Sequence, residues 1–192
     1  EEIESFASFL FTQGLTSLRY CRLRVNEGKS AVASPTKRKF LGYSFYYKNG
    51  TYRLRVHPKS LNRLKDKVRE VTNRNVSMNF ETRLKKLIEK TRGWVNYFKL
   101  ADMSKSLKEM DGWIRRRLRA CIWKTWKKIR TRFTSLNKLG IDRNKAWEFA
   151  NTRKGYWRIS NSPIMQRSIT NERLEKRGYV SMSTMYKKVI LA

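Results

Sequence analysis

The chain has 192 residues, with 45 Lys plus Arg against 15 Asp plus Glu, and its net charge at pH 7 is +30. So strong a positive field, nearly all of it beyond residue 30, favours a polyanionic partner, with nucleic acid ahead of an acidic membrane surface. Its 40% hydrophobic content, its two distant cysteines and its lack of a long apolar run exclude a disordered tail, a disulfide framework and a membrane span, so we expect an intracellular protein.

The first predicted element is a short amphipathic helix, because apolar residues recur at helical spacing between residues 2 and 13. Farther along, two runs rich in aromatic and β-branched residues, 40–47 and 51–56, flank the dipeptide Asn49-Gly50. An Asn-Gly pair between such runs predicts a β-hairpin with a type I′ turn, since both central residues of that turn need positive φ.

Three helices are predicted to follow Pro58. The first has its apolar stripe within residues 61–71 and the second within residues 84–98. The third is expected to begin after an N-cap at Ser104, to run to about Leu136 and to be ended by Gly140.

Shorter helices are predicted in the remaining residues. Asp142 and Ser162 are expected to cap two of them, and residues 170–178 read as a capped helix with Gly178 after its last turn. The predicted fold class is therefore mainly α, of α+β type. It comprises a β-hairpin end of a domain over 1–57, a three-helix bundle over 58–136 and a small helical appendix over 137–192.

Trp123 is the most informative side chain of the third helix. A helical projection places its ring almost opposite the apolar stripe, whereas Trp113 and Trp126 are expected in the core. Cations bind phosphates and an exposed ring stacks on a base, so this face is a candidate RNA-binding surface. An indole covered by the C-terminal helices is an equally good interpretation. Four cations flank the ring in this projection: Arg116, Arg119, Lys127 and Arg130.

A second candidate surface is the segment 153–158, which reads Arg-Lys-Gly-Tyr-Trp-Arg. Gly155 permits a tight backbone, and cationic and polar groups surround two aromatic rings. We interpret this segment as a nucleic-acid contact, although short basic and aromatic loops also occur as ordinary surface.

Little in the sequence is suited to catalysis. His57 is the one histidine, so the sequence has almost no residues for a nucleophile with a histidine base or for a metal site of histidine and cysteine ligands. No glycine-rich phosphate loop is found. The residues alone therefore predict a binding module with no metal and no cofactor of its own. Each of the four aspartates is interpreted as a cap or as half of a surface ion pair: Asp66, Asp102, Asp111 and Asp142.

Five motifs, in this order and spacing, resemble the C-terminal part of the group II intron reverse transcriptases, the intron-encoded maturases. Together they extend over nearly the whole chain and are far more specific than any one alone. They are Leu-Arg-Val-Asn-Glu-Gly-Lys-Ser at 23–30, Lys-Phe-Leu-Gly-Tyr-Ser-Phe at 39–45, Arg-Gly-Trp-Val-Asn-Tyr-Phe at 92–98, Trp-Ile-Arg-Arg-Arg-Leu-Arg at 113–119 and Arg-Lys-Gly-Tyr-Trp-Arg at 153–158.

The resemblance implies the end of a polymerase palm up to residue 57, a thumb over 58–136 and a maturase-specific region over 137–192. It implies intron RNA as the partner, bound to assist splicing in a bacterial cytoplasm or an organelle. It also implies a hairpin like a primer grip, formed by Phe40, Leu41, Gly42 and Tyr43. The expected RNA-binding residues are Arg92, Arg115, Arg116, Arg119, Trp123, Lys127, Arg130, Arg153, Lys154, Tyr156, Trp157 and Arg158.

The polymerase motif of the family, Tyr-Ala-Asp-Asp, lies upstream of where this chain begins, so Mg²⁺ is expected only in that missing site or in bound RNA. The chain is then an RNA-binding maturase module, or the C-terminal piece of a split or truncated RNA-directed DNA polymerase. A general nucleic-acid chaperone is a weaker alternative. The split polymerase would also hold a template-primer duplex, and it predicts self-association or an N-terminal half bound to an apolar surface that includes Phe6, Phe9, Leu41 and Phe45.

Overall fold

A computed structural model describes residues 34, 36 and 38–191 of the chain. The predicted helix at 2–13, the motif at 23–30 and the side chains of Phe6 and Phe9 lie outside the described residues. The chain divides into two compact units, one ending at His57 and the other beginning at Pro58. The assignment of these units to a palm, a thumb and a maturase-specific region stays a prediction.

The first unit contains an antiparallel hairpin formed by the strands β1 (Tyr43–Lys48) and β2 (Thr51–Val56). Asn49 and Gly50 join the strands with φ angles of 51° and 77°. Positive φ at both residues is what a type I′ turn requires, so the hairpin predicted from the Asn-Gly pair is confirmed.

The second unit is helical, and the mainly α class predicted from the sequence is confirmed. No helix in the part of the chain that the structure describes has both the length and the apolar character needed to cross a bilayer. The helices are α1 (Pro58–Val71), α2 (Phe80–Tyr97), α3 (Ser104–Thr125), α4 (Ile129–Lys138), α5 (Arg143–Ala150), α6 (Tyr156–Ile159), α7 (Pro163–Ser168), α8 (Asn171–Lys176) and α9 (Met182–Leu191).

The loop between α1 and α2 is held by a buried arginine. The apolar stripes of these two helices are buried, as their periodicity predicts, and the helices pack against each other. Arg83 of α2 is also buried, and its guanidinium donates hydrogen bonds to the carbonyl oxygens of Val71, Asn73 and Val76. Three backbone acceptors on one guanidinium fix the path of residues 72–79.

The third predicted helix does not continue to Leu136. It ends at Thr125, and α4 begins only at Ile129, so the prediction of one long helix is wrong. Arg132 donates from Nε to the carbonyl oxygen of Trp126 at 2.9 Å, which satisfies an acceptor that the break leaves outside the helix. No glycine or proline lies between the two helices, so the sequence carries no local signal for the break.

Helix ends with a local signal agree better with prediction. Gly178 has a φ of 98° and its N–H donates to the carbonyl oxygen of Glu175, as in a Schellman motif. The N-cap predicted at Ser104 is wrong by one residue, since Met103 takes that place without a side-chain hydrogen bond. Three other predicted N-caps are confirmed, each accepting a hydrogen bond from the backbone of the first helical turn: Asp142, Ser162 and Thr170.

The last helix packs against the core of this unit. α9 contacts both α2 and α3, and its N-terminus is capped from α3 by the buried carboxylate of Asp111. Asp111 accepts hydrogen bonds from the N–H groups of Met182 and Ser183 at 2.8 and 3.0 Å. It also accepts from the hydroxyls of Ser183 at 2.6 Å and Tyr179 at 3.1 Å. The predicted cap at Asp111 thus acts between two helices that are distant in sequence.

Candidate nucleic-acid interface

Of the two interpretations of Trp123, the structure supports the covered indole and contradicts the exposed one. Its side chain is 2% exposed, because all six residues of 118–123 are buried and the end of α3 is surrounded on every side. The guanidinium of Arg132 lies 4.9 Å from the centre of the indole, and the ring of Trp126 meets it edge-on at 5.7 Å. A ring so covered is not available to stack on a base, so Trp123 is a core residue in this structure.

Trp113 and Trp126, which were predicted in the core, are instead partly exposed. The guanidinium groups of Arg69 and Arg117 lie over the Trp113 ring at 5.7 and 5.2 Å. Cations on an aromatic face are stabilised by the ring quadrupole, so Trp113 orients two arginines at the surface.

The cations predicted on the third helix differ in burial. Arg119 is buried and donates to the carbonyl oxygen of Ile169 at 2.9 Å and to the side chain of Asn171 at 3.1 Å. Burial lowers the pKa of Arg119, and the nearby charge of Arg115 lowers it further. Arg119 therefore holds the C-terminal helices, whereas Lys127 and Arg130 are exposed.

Arg116 and the segment 153–158 come together in the fold. The Arg116 guanidinium lies 3.8 Å from the centre of the Trp157 ring and donates to the Trp157 carbonyl oxygen at 2.9 Å. Trp157 is 39% exposed, and the neighbouring side chains of Arg153, Lys154 and Arg158 are exposed. The structure thus joins the two candidate surfaces through one cation and ring pair, with the indole still open to solvent.

A cleft beside this pair has a volume of about 290 Å³, and we call it the Trp157 cleft. Its cations are Arg74, which also lies over the Tyr156 ring at 5.1 Å, and Arg117. Arg117 is held by a hydrogen bond to the hydroxyl of Thr72, and burial lowers its pKa. The other lining residues that bear on recognition are Asn73, Asn75 and Trp157.

A second cleft of about 270 Å³ shares Arg74 and Asn75, in the loop between α1 and α2, with the first. We call it the Lys124 cleft. Lys124 lines it and donates to the Asn75 side chain at 2.9 Å, and Lys127 lines it too. The thiol of Cys121, whose pKa is raised by burial, donates to the Thr72 carbonyl oxygen and is a structural group.

The two adjoining clefts have a common chemistry. Their described lining residues include arginine, lysine, asparagine and an indole, and none of these lining residues is acidic. Several cations are already oriented by the protein, so they meet an anion without first losing side-chain freedom. Such a surface is suited to phosphate groups, with a ring available to a base or sugar.

Three of these residues, Arg74, Arg117 and Lys124, were missed by sequence analysis. The tripeptide Asn73-Arg74-Asn75 between two predicted helices is a polar loop signal, but nothing local indicates that α3 and Trp157 lie beside it. That proximity is created by the packing of α6 against α3.

Other predicted site residues lie outside the clefts. Arg92 is exposed on α2 and lines neither of them. In the first unit, Phe40 and Leu41 are 67% and 66% exposed, and Leu41 and Gly42 have positive φ in the turn that precedes β1. The primer-grip role of Phe40, Leu41, Gly42 and Tyr43 stays a prediction.

Comparison with known proteins assigns a family to the helical unit. Residues 61–140 match the family described as group II intron, maturase-specific domain. The match includes most of α1, all of α2, α3 and α4, and with them much of the lining of both clefts. No curated protein matches the chain in sequence. This match to the maturase-specific domain at residues 61–140 supports the predicted relation to the C-terminal region of the intron-encoded maturases.

Proposed function

We propose that this chain is an RNA-binding maturase module that holds folded group II intron RNA through the Trp157 and Lys124 clefts and so assists splicing. One observation carries the proposal. The two clefts share Arg74 and Asn75, and the described residues that line them include no acidic one. Four of their lining cations are exposed or half-buried: Arg74, Arg117, Lys124 and Lys127. They lie largely within the maturase-specific domain, whose family relates the chain to group II introns.

Electrostatics supports RNA as the ligand. Each phosphate neutralised by a lysine or arginine releases condensed counterions, and this release supplies much of the affinity of basic proteins for nucleic acids. The net charge of +30 is what remains when the 15 acidic residues are subtracted from the 45 lysines and arginines, so internal ion pairs such as Arg69–Asp66 and Lys90–Glu70 do not reduce it. The remaining cations require an external polyanion to offset their mutual repulsion.

The aromatic groups support a folded RNA over an arbitrary polyanion. Trp157 and Tyr156 each carry an arginine on one face, at 3.8 and 5.1 Å. A cation stacked on one face fixes the plane of the ring, and the ring edge or opposite face is then pre-oriented for a sugar or an unpaired base. In this proposal the RNA is the catalyst, Mg²⁺ belongs to the RNA, and the protein stabilises the folded RNA.

A split RNA-directed DNA polymerase is the second candidate, and the exposed side chains of Phe40 and Leu41 favour it. Large apolar side chains at a turn are an unusual surface unless another polypeptide covers them. DNA synthesis by this chain mixed with a palm domain, and by neither alone, is the observation that would establish this candidate.

We expect Arg74→Ala and Lys127→Ala each to weaken binding to structured RNA several-fold at near-physiological salt. Because each variant removes a phosphate contact, the slope of log Kd against log salt should fall by about one. Both side chains are exposed, so the fold should be unaffected. Filter-binding titrations at four or five salt concentrations measure both quantities.

The matched controls are Lys105→Ala and Lys108→Ala, which remove the same charge from the other end of α3. Both are exposed, and Lys108 lies roughly 24 Å from Lys124 along the helix. These controls should leave the salt slope almost unchanged. Equal reductions in slope for the cleft variants and the controls would show that binding is spread over the whole basic surface and would contradict the assigned interface.

A further inference from the structure

A third pocket, at the end of α3, shares no lining residue with the two clefts. Its volume is about 270 Å³. Ile122, Leu139 and Ile169 form an apolar floor, and the partly exposed indole of Trp126 forms one wall. We call it the Trp126 pocket.

The indole of Trp126 is held in place by the protein. Its ring packs edge-on against the buried Trp123 ring at 5.7 Å with an interplanar angle of 63°. Its backbone carbonyl accepts the hydrogen bond from Arg132. The ring contact restrains the plane of the indole and the hydrogen bond holds its backbone, so this aromatic wall loses little freedom when a flat ligand stacks on it.

Cations at α8 also line the pocket: two lie on the helix, and Arg177 is its C-cap. Arg173, Lys176 and Arg177 line the pocket, and their spacing of three and four residues places them on one face of the helix. Leu174 points into the core instead. The guanidinium of Arg173 is anchored by hydrogen bonds from Nη1 to the carbonyl oxygens of Leu139, at 2.9 Å, and Ser168.

We propose that the Trp126 pocket binds an unstacked nucleotide of RNA, with its base against Trp126 and its phosphate on the cations of α8. This inference rests on the proposed function, which makes RNA the partner, and it adds a preference for unpaired nucleotides. Unpaired bases in loops and bulges leave the helical stack readily and bind between aromatic and apolar side chains. An apolar peptide would fit the floor but would offer no anion to the three cations.

The test compares two RNA hairpins of equal length, one fully paired and one with a single bulged nucleotide. The wild-type chain should bind the bulged hairpin more tightly. Trp126→Leu should weaken that binding roughly tenfold, without change in the salt slope and without effect on the paired hairpin. The control Trp147→Leu removes an indole that is 57% exposed on α5, and it should affect neither RNA.

A second variant keeps the test valid if Trp126→Leu lowers stability. The double substitution Lys176→Ala with Arg177→Ala changes only exposed side chains. It should lower the salt slope by about two for the bulged hairpin and leave the slope for the paired hairpin unchanged. Thermal melting followed by circular dichroism shows whether each variant is folded.

Two results would overturn this inference: equal wild-type affinity for the two hairpins, or losses in the variants that are the same for both. Failure of the proposed function is a different result, namely no preference for group II intron RNA over an unrelated RNA. The hairpin comparison contains no intron sequence, so either idea can fail while the other stands.

Discussion

Replacing Trp123 by alanine should lower the free energy of unfolding by about 4 kcal/mol. The reason is that the ring is 2% exposed, so its removal loses buried apolar surface and leaves a cavity in the core. The substitution also removes the ring on which the Arg132 guanidinium stacks at 4.9 Å from the ring centre. Urea denaturation followed by circular dichroism measures the change.

The matched control is Trp147→Ala, because Trp147 is 57% exposed. Among the described aromatic pairs its ring contacts only that of Phe133, which it meets edge-on. It should change stability by no more than about 1 kcal/mol. Trp123→Phe keeps an aromatic ring and should give an intermediate loss. Full stability of Trp123→Ala together with weakened RNA binding would contradict the buried position and restore Trp123 as a stacking residue.

Replacing Asp111 by alanine should destabilise the helical unit by about 3 kcal/mol. The substitution leaves the Tyr179 hydroxyl and the N–H groups of Met182 and Ser183 buried or half-buried without their acceptor. It also removes a negative charge from the N-terminus of α9, where the helix dipole favours it. Because α9 packs on α2 and α3, protease cleavage near α9 should become faster as well.

The control for Asp111 is Asp66→Ala. Asp66 pairs with Arg69 on the surface, and such an exposed pair is worth no more than about 0.5 kcal/mol. Equal stabilities of the two alanine variants at pH 7 would contradict the role of the buried carboxylate.

Burial, followed by the charge and hydrogen bond of Asp111, raises the pKa of Tyr179. The folded state therefore favours the neutral phenol. The contribution of Tyr179 to the free energy of unfolding is complete below about pH 10, the pKa of an unfolded tyrosine, and declines as pH rises above it.

Features with a strong local signal were predictable from sequence. The Asn49-Gly50 turn and the end of α8 at Gly178 need backbone conformations with positive φ, and few other residues adopt them. The caps at Asp142, Ser162 and Thr170 are likewise decided within one helical turn. Such elements depend on neighbours in sequence, so the sequence predicts them without knowledge of the fold.

Features decided by tertiary packing were not predictable in the same way. The break after Thr125 has no glycine or proline, and a helical projection carried through it assigned Trp123 to solvent. A helical projection assumes that only one face of the helix is buried, but residues 118–123 of α3 are all buried and together cover every face. The same projection assigned Trp126 to the core, although α3 ends before it and its ring is partly exposed.

The candidate interface was predictable in chemistry and only in part in position. Charge and aromatic content indicated a nucleic-acid surface, and Arg116, Lys127 and Trp157 lie at or near the clefts. Arg74 and Arg117 were missed because their importance comes from contacts of the loop between α1 and α2 with α3 and α6, whose residues are more than forty positions away in sequence. Only the fold brings those cations to one place.

The most direct test of the proposed function is a salt-dependent titration of the purified chain against a folded group II intron RNA and an unrelated structured RNA of equal length. A maturase module that recognises the shape of its RNA should retain a preference for the intron RNA at near-physiological salt, where the nonspecific phosphate contribution is weakened. Equal affinities for the two RNAs that fall together as salt rises would contradict that function, because they would show that the chain binds RNA only by nonspecific electrostatic attraction.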